Sequence, residues 1–565
     1  MNERFLRLFP QHTCRTLPSE PAIRAPPGNL CMRYIFLVAG LLVATSNVRA
    51  GNTPPPIPPA PSPYRNAPVE VRPYLEQARK ADFLPDPLAR CLAWPEIPGA
   101  QWPDGLVEAH CDNEYSPHLS PEELDKHLLE GSIKTLEARL EADLERHYSD
   151  EDFSEIVHAH FFDIGGGSEW GRLTQAWIEA APKSPFAHVA RGHWNRGMAG
   201  MARGGKWASE TPSENLERMN VYGDAAIASY ERALELEPRL TEAHAGIISV
   251  ARLGGREEAM RNAVRRAREL APACRAWGHP LMVALEPRWG GSYPEMAQFA
   301  ETLKPHIAER PMAAIVAAMP LVSLANQLYR AEKWSEAETV AREATRHTTH
   351  RAPYYDAGVA LLRQDSGNRW EALMYLLGES RFPPGNAYAA RQRGHLIWEL
   401  TGDVEWARLS IERAVELEPE NGLGQWMLGG IHATQGRVDE AEAAYLEAMR
   451  DPEQRRSALT NITSLLIMEN QIPRAARYVE TLTTEYPDYG WGWFYNTMVV
   501  IDRKGGTFSP DDKEVMAAFD KFEQTADPDD PEQLRQVQAL RDSHRRMREM
   551  MDEADARIEE RAGGE

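Results

Sequence analysis

The sequence predicts an all-α protein: an α-solenoid of stacked helical hairpins behind a proline-rich N-terminal segment expected to carry a disulfide. Three observations predict it. The phrase YERALELEP at Tyr230 to Pro238 returns as IERAVELEP at Ile411 to Pro419. Several positions recur together at an interval of 34 residues, the length of one helix–turn–helix unit. From Ser120 onward helix-start signals punctuate the chain, and alternating strand patterns are scarce.

The 565 residues allow several ordinary domains or one extended array. Met32 to Ala50, MRYIFLVAGLLVATSNVRA, has a short basic start, an apolar stretch about half the ~20 residues needed to span a bilayer, and small residues before its end. It reads as a cleaved secretory signal, with an uncleaved anchor as the alternative. A signal stands at the start of a chain, so residues 1–31 are expected to be an upstream extension and Met32 the natural start. Export to a bacterial periplasm or beyond follows, with no stable membrane insertion after cleavage. The net charge is −21, and loss of residues 1–50 removes six Arg and two Glu, leaving the rest more acidic still. Such a field repels phosphate backbones, so no nucleic-acid partner is expected.

Residues 51–68, GNTPPPIPPAPSPYRNAP, form a stiff polyproline spacer. Residues 69–119 read as an irregular segment in which Cys91 and Cys111 flank a Pro- and Trp-rich stretch. A disulfide closing that loop would contribute about 3 kcal/mol. Free thiols or metal ligands are the alternatives; the lack of CxxC spacing or a suitable histidine pair favours the disulfide. Cys274 is left over as a small buried hydrophobe. Residues 120–300 read as a helical domain with a repeat pair at 205–272. Ser120 with Glu123, Ser292 with Glu295, Ser335 with Glu338 and Asp451 with Gln454 each place a capping oxygen ahead of an acidic or amide residue.

Gly402, Ala407, Ile411 and Ala414 recur as Gly436, Ala441, Tyr445 and Ala448, and Ala233 and Pro238 as Ala267 and Pro272. Glycine fits the turn between two helices, alanine lets them approach, a large residue fills the gap, and proline stops the second helix. These residues resemble the tetratricopeptide repeat (TPR), and about five contiguous units are expected from 318 to 490. The resemblance implies units that stack because none buries its apolar face alone. Repeat phase then turns Asn326, Tyr329, Tyr354, Gln392, Glu399, Trp426 and Asn461 toward a concave binding side. The Lys/Asn carboxylate clamp of chaperone-binding members is missing, since Trp426 and Gly430 stand at those positions.

QAWIEAAPKSPFAHVARGHW, MARGG and EPRWGGSYPEMAQFA, together with RCLAWPEIPG, resemble an uncharacterised bacterial family of exported helical proteins over roughly 85–300. That resemblance implies helices and export, and no chemistry. In these phrases Arg191, Arg203 and Arg288 accompany Trp194, Trp207 and Trp289, a pairing suited either to bracing helix ends or to gripping a carboxylate. GMARGGKW has the spacing of a phosphate loop but Trp207 where a hydroxyl is needed, so it reads as a helix-linking loop. DIGGGSEWG reads as a flexible joint. His158 and His160 straddle a helix, and His347 and His350 read as a surface pair; no metal centre, cofactor or catalytic residue is expected. YPDYGWGWFYN, Tyr486 to Asn496, is either an exposed docking patch or core beneath the C-terminal helices of 491–565. The final amphipathic helix either caps the solenoid or forms a dimerising coiled coil.

The expected function is an exported scaffold holding a protein or peptide partner in the cell envelope. An enzyme or small-ligand receptor with its site in 170–300, and a structural spacer, are the alternatives.

Overall fold

A computed structural model describes residues 63–149, 154–382, 385–506 and 508–562. The upstream extension, the signal and most of the proline-rich spacer lie outside the described residues. Described residues are helical or irregular, with no strand among them. None of their helices is long and apolar enough to cross a membrane. The chain divides into two compact units, meeting at Gly385/Asn386, inside the segment expected to be one array.

In the unit from Asn386, helices pair as Ala387–Thr401 with Val404–Leu417, Gly422–Thr434 with Val438–Ala448, Pro452–Met468 with Ile472–Glu485, and Gly490–Arg503 with Lys513–Thr525. Each helix packs on the next, and the first helices of the last three pairs also pack on one another, which makes the unit a stack of hairpins. The reasons are local. Gly402 and Gly436 turn the chain at φ +69° and +70°, a region that costs an L side chain. Ala407, Ala441 and Ala475 are fully buried where the second helix meets the first. Ile411 and Tyr445 reach across to Gly394 and Gly429, where a Cβ would stand 2.6 and 2.7 Å from their side chains. Each large residue therefore requires a glycine opposite, and burying it stabilises the hairpin by roughly 2 kcal/mol.

Phe494 and Tyr495 of the aromatic run are buried against Phe519 and Phe522, and Trp491 Nε1 donates to Asp530 Oδ2 at 3.1 Å. The run is core beneath the C-terminal helix Pro531–Ala562. That helix buries Val537 and rests Leu540 on the same core, while Met550 and Met551 are exposed.

The unit Tyr64–Gly385 uses the same device. Tyr230 of Ser213–Leu236 lies against Gly192 of Pro185–Arg203 and Gly246 of Thr241–Gly254, and Leu376 lies against Gly358. Its repeat-type pairs include Met319–Arg330 with Trp334–His347 and Ala352–Arg363 with Arg369–Glu379. Ser120, Ser292 and Asp451 cap as expected, accepting from the backbone N–H of Glu123, Glu295 and Glu453. Ser335 does not: it lies inside Trp334–His347, which starts after Lys333 without a side-chain cap. The glycine joint before Ser168–Ala180 is close-packed, because a Cβ on Gly197 would stand 2.1 Å from Gly166 N.

Residues 69–119 hold three short helices, Arg72–Asp82, Pro87–Ala93 and Leu106–Tyr115, and the Cys91–Cys111 disulfide joins the last two. The stapled segment docks on the hairpins of its own unit. Gln101 N donates to Arg346 O, Trp102 Nε1 to Thr345 O, and Arg381 Nε to Cys91 O at 2.9 Å.

Candidate functional site

Repeat phase places seven residues on a concave side, and the structure separates them. Tyr354 is a correction: it is buried, donating its hydroxyl toward Thr345 O and Thr348 O against Gly378. The stapled segment covers it, with Tyr74, Trp94 and Trp102 around the same small cavity. Asn461 is the second correction: it is buried. Both departures have one cause: the phase gives the face of a helix, while the next element decides whether that face meets solvent. Asn326 accepts from Arg330 Nε at 2.9 Å, and burial pushes the carboxyl of Asp356 up to about 7, with Asn326 and Arg330 opposing. Tyr329 packs edge-on against Trp334 and Tyr355. In the other unit Gln392 and Trp426 are half-buried, and Glu399 lies 3.4 Å from His395.

The arginines behave differently from one another. Arg191 is a brace: it donates to Gly171 O at 3.0 Å and stacks over Trp194 at 4.0 Å. Arg203 donates to Gly204 O and Lys206 O and also faces Trp289. Arg203 stands 5.5 Å from the Trp289 ring and Arg252, from the neighbouring helix Thr241–Gly254, 4.3 Å, while Arg288 pairs with the buried Glu286. Trp207, the partner expected for Arg203, is 65% exposed and stands apart from this arrangement. Arg196 lies within Coulombic range of Arg252 as well.

Two guanidiniums thus stand against one indole, and Arg288, Arg196 and a single carboxylate, Glu286, are among the charges that act on Arg252. Burial, then the field of Arg288, pushes the Arg252 guanidinium down to about 10, with Glu286 opposing. Arg252 Nε and Trp289 Nε1 are buried and make no hydrogen bond. Two orphan donors inside a cationic cluster fit an anionic oxygen ligand, which would gain charge-assisted hydrogen bonds and relieve the repulsion. Helices hold the cluster in place: Arg196 and Arg203 are seven residues apart on Pro185–Arg203, two turns along one face, and Arg288 and Trp289 follow on a short 3-10 turn, Pro287–Trp289.

Sequence reading missed Arg196 and Arg252. The signal existed, since Arg252 stands in ARLGG much as Arg203 stands in MARGG, and Arg196 also precedes a glycine. What pairing with the nearest tryptophan in sequence concealed was that one tryptophan, Trp289, serves arginines from two other helices.

Comparison with known proteins adds a family and a set of solved folds. Residues 120–262 match the model of a family described as a domain of unknown function, DUF4034. That span lies inside the 85–300 stretch of the expected resemblance and contains Arg191, Arg196, Arg203 and Arg252. No curated protein matches the chain. Among solved structures, similarity is found to YrrB, a TPR protein with an unusual peptide-binding site, at 20% identity and a TM-score of 0.29, covering 35% of this chain and 98% of that one. The P58(IPK) TPR domain matches at 13% identity and 0.21, covering 66% and 93%. The Cut9–Hcn1 assembly of the APC/C matches at 10% and 0.28, covering 85% and 98%. The TPR-like architecture stands on the hairpin geometry above, and not on superpositions at these scores.

Proposed function

We propose that the protein is an exported scaffold of the cell envelope that holds a protein or peptide partner, and that the arginine–tryptophan cluster receives an acidic group of that partner. The observation that carries this is the half-buried Arg252, its Nε enclosed and unpaired, against Trp289 and within the field of Arg203 and Arg288 in a chain of net charge −21. A cationic focus in an acidic surface draws an anionic group and orients it, while like charge elsewhere discourages other approaches. Stacked hairpins supply a rigid frame for such contacts. Support for export comes from the signal-like run Met32 to Ala50 and from a disulfide, which persists in oxidising compartments.

The test is crosslinking in cells followed by mass spectrometry of the exported chain. The expected outcome is one reproducible envelope partner whose yield falls at least tenfold in an Arg203→Ala/Arg288→Ala variant. Recovery in the cytoplasmic fraction, or a partner indifferent to both substitutions, would refute the reading. A second reading, a receptor for a small carboxylate or phosphate, is favoured by the enclosure of Arg252. It predicts a small anion retained through purification, with no protein crosslink.

A further inference from the structure

A second polar cluster lies deep in the unit Tyr64–Gly385, away from any surface. His147 ends the helix Ile133–His147, His158 sits in the short turn Ile156–Ala159, and Cys274 caps Arg275–Ala284. All three are buried, and one ligand atom of each lies within 4.8 Å of the others.

We propose that His147, His158 and Cys274 form a buried N2S site for a borderline-soft divalent first-row cation, Zn2+ in the first instance. Distances between donors support it. Cys274 Sγ stands 3.6 Å from His158 Nε2. A tetrahedral ion with bonds of about 2.3 Å to sulfur and about 2.05 Å to nitrogen sets those two atoms roughly 3.6 Å apart. His147 completes the triangle with a shift of about 1 Å. One thiolate and two imidazoles are the donor set that zinc and copper prefer over magnesium or calcium.

The surrounding shell orients the donors. His147 Nδ1 lies 3.0 Å from Ser154 O, so Nε2 is the atom it offers. His158 Nδ1 lies 3.0 Å from Glu242 Oε2, and the other oxygen of Glu242 lies 2.8 Å from His193 Nε2. A carbonyl and a carboxylate behind two ring nitrogens fix the tautomer that presents Nε2, which is the usual outer shell of a metal-bound histidine. Glu155 accepts from the backbone N–H of Arg275 and Ala276, holding the turn that carries Cys274.

The same atoms also stand in the order of nucleophile, base and orienting carboxylate. Cys274 is only 1% exposed, however, so a substrate carbonyl cannot reach its sulfur. An ion taken up as the chain folds needs no open channel.

The test is production of the full chain in cobalt-supplemented minimal medium, with metal analysis and absorption spectroscopy. Expected is one Co2+ per chain and a near-ultraviolet thiolate-to-cobalt charge-transfer band. Cys274 is the free cysteine among the described residues, and Cys14 and Cys31 lie upstream of them, so the band must vanish in Cys274→Ala. His147→Gln, which keeps the thiol, serves as the second variant and should lose the ion whether or not Cys274→Ala folds. Glu242→Gln should retain the band but weaken affinity ten- to a hundredfold. Substoichiometric metal without the band in the unsubstituted protein, or a band that survives both Cys274→Ala and His147→Gln, overturns the proposal.

Discussion

Replacing Arg252 with Met should make the protein more stable in the absence of ligand while it weakens anion binding. The guanidinium is held at about 10 instead of its ordinary 12.5, first by burial and then by Arg288. Each pKa unit corresponds to about 1.4 kcal/mol, so the charged form bears a penalty of about 3 kcal/mol in the folded state. Because the folded pKa is depressed for a base, that penalty is fully present at neutral pH and is relieved only above pH about 10. The stack on Trp289 at 4.3 Å returns about 1 kcal/mol. Met fills the volume of the arginine stem, so a net gain of about 1–2 kcal/mol is expected. Hydrogen exchange on the full chain reads it as amides of Thr241–Gly254 and Pro185–Arg203 slowing about five- to thirtyfold. An acidic peptide or a small dicarboxylate, titrated in parallel, should bind at least tenfold more weakly. Faster exchange in the variant would refute the reasoning, because it would make Arg252 a brace like Arg191 and not a group kept under strain for a ligand.

Further outcomes follow from the same geometry. Asp356 has a carboxyl raised from 3.8 to about 7, so the native state holds its proton more tightly and stability falls as pH rises between those values; Asp356→Asn should remove up to about 4 kcal/mol of that slope, seen as a melting temperature that no longer drops from pH 5 to pH 8. The Cys91→Ser/Cys111→Ser variant should loosen the stapled segment by about 3 kcal/mol, exposing residues 72–115 and Tyr354 to exchange while helices after Asn386 stay protected. Gly394→Ala places a Cβ about 2.6 Å from Ile411 Cδ1, so it should cost about 1–3 kcal/mol in thermal or urea melts. Adding Ile411→Ala should recover part of that loss, giving a negative coupling in a double-mutant cycle.

Legibility in the sequence tracked locality. Gly402, Ala407 and Ile411 reveal a hairpin because their interactions lie within one 34-residue period, and repetition at Gly436, Ala441 and Tyr445 multiplies the signal. The disulfide was legible for a similar reason, its partners flanking a single unperiodic stretch. Capping at Ser335 misled because a hydroxyl ahead of an acidic residue is equally at home inside a first turn. Periodicity likewise located the helices carrying Tyr354 and Asn461 but could not tell which faces a later element would cover. The Arg252–Trp289 contact spans 37 residues, and the approach of His147 and His158 to Cys274 spans 127 and 116, with unrelated spacing in each case.

The sequence by itself determined the helical hairpin, its turn glycine, its close alanine and the acidic character of the whole, since these depend on neighbours along the chain and on composition. Only the tertiary structure decided that Arg203 and Arg252 meet at Trp289 and that two histidines and a cysteine share a buried centre. Chain folding brings such groups together through packing between distant elements, and no local rule of spacing records which distant surfaces will touch.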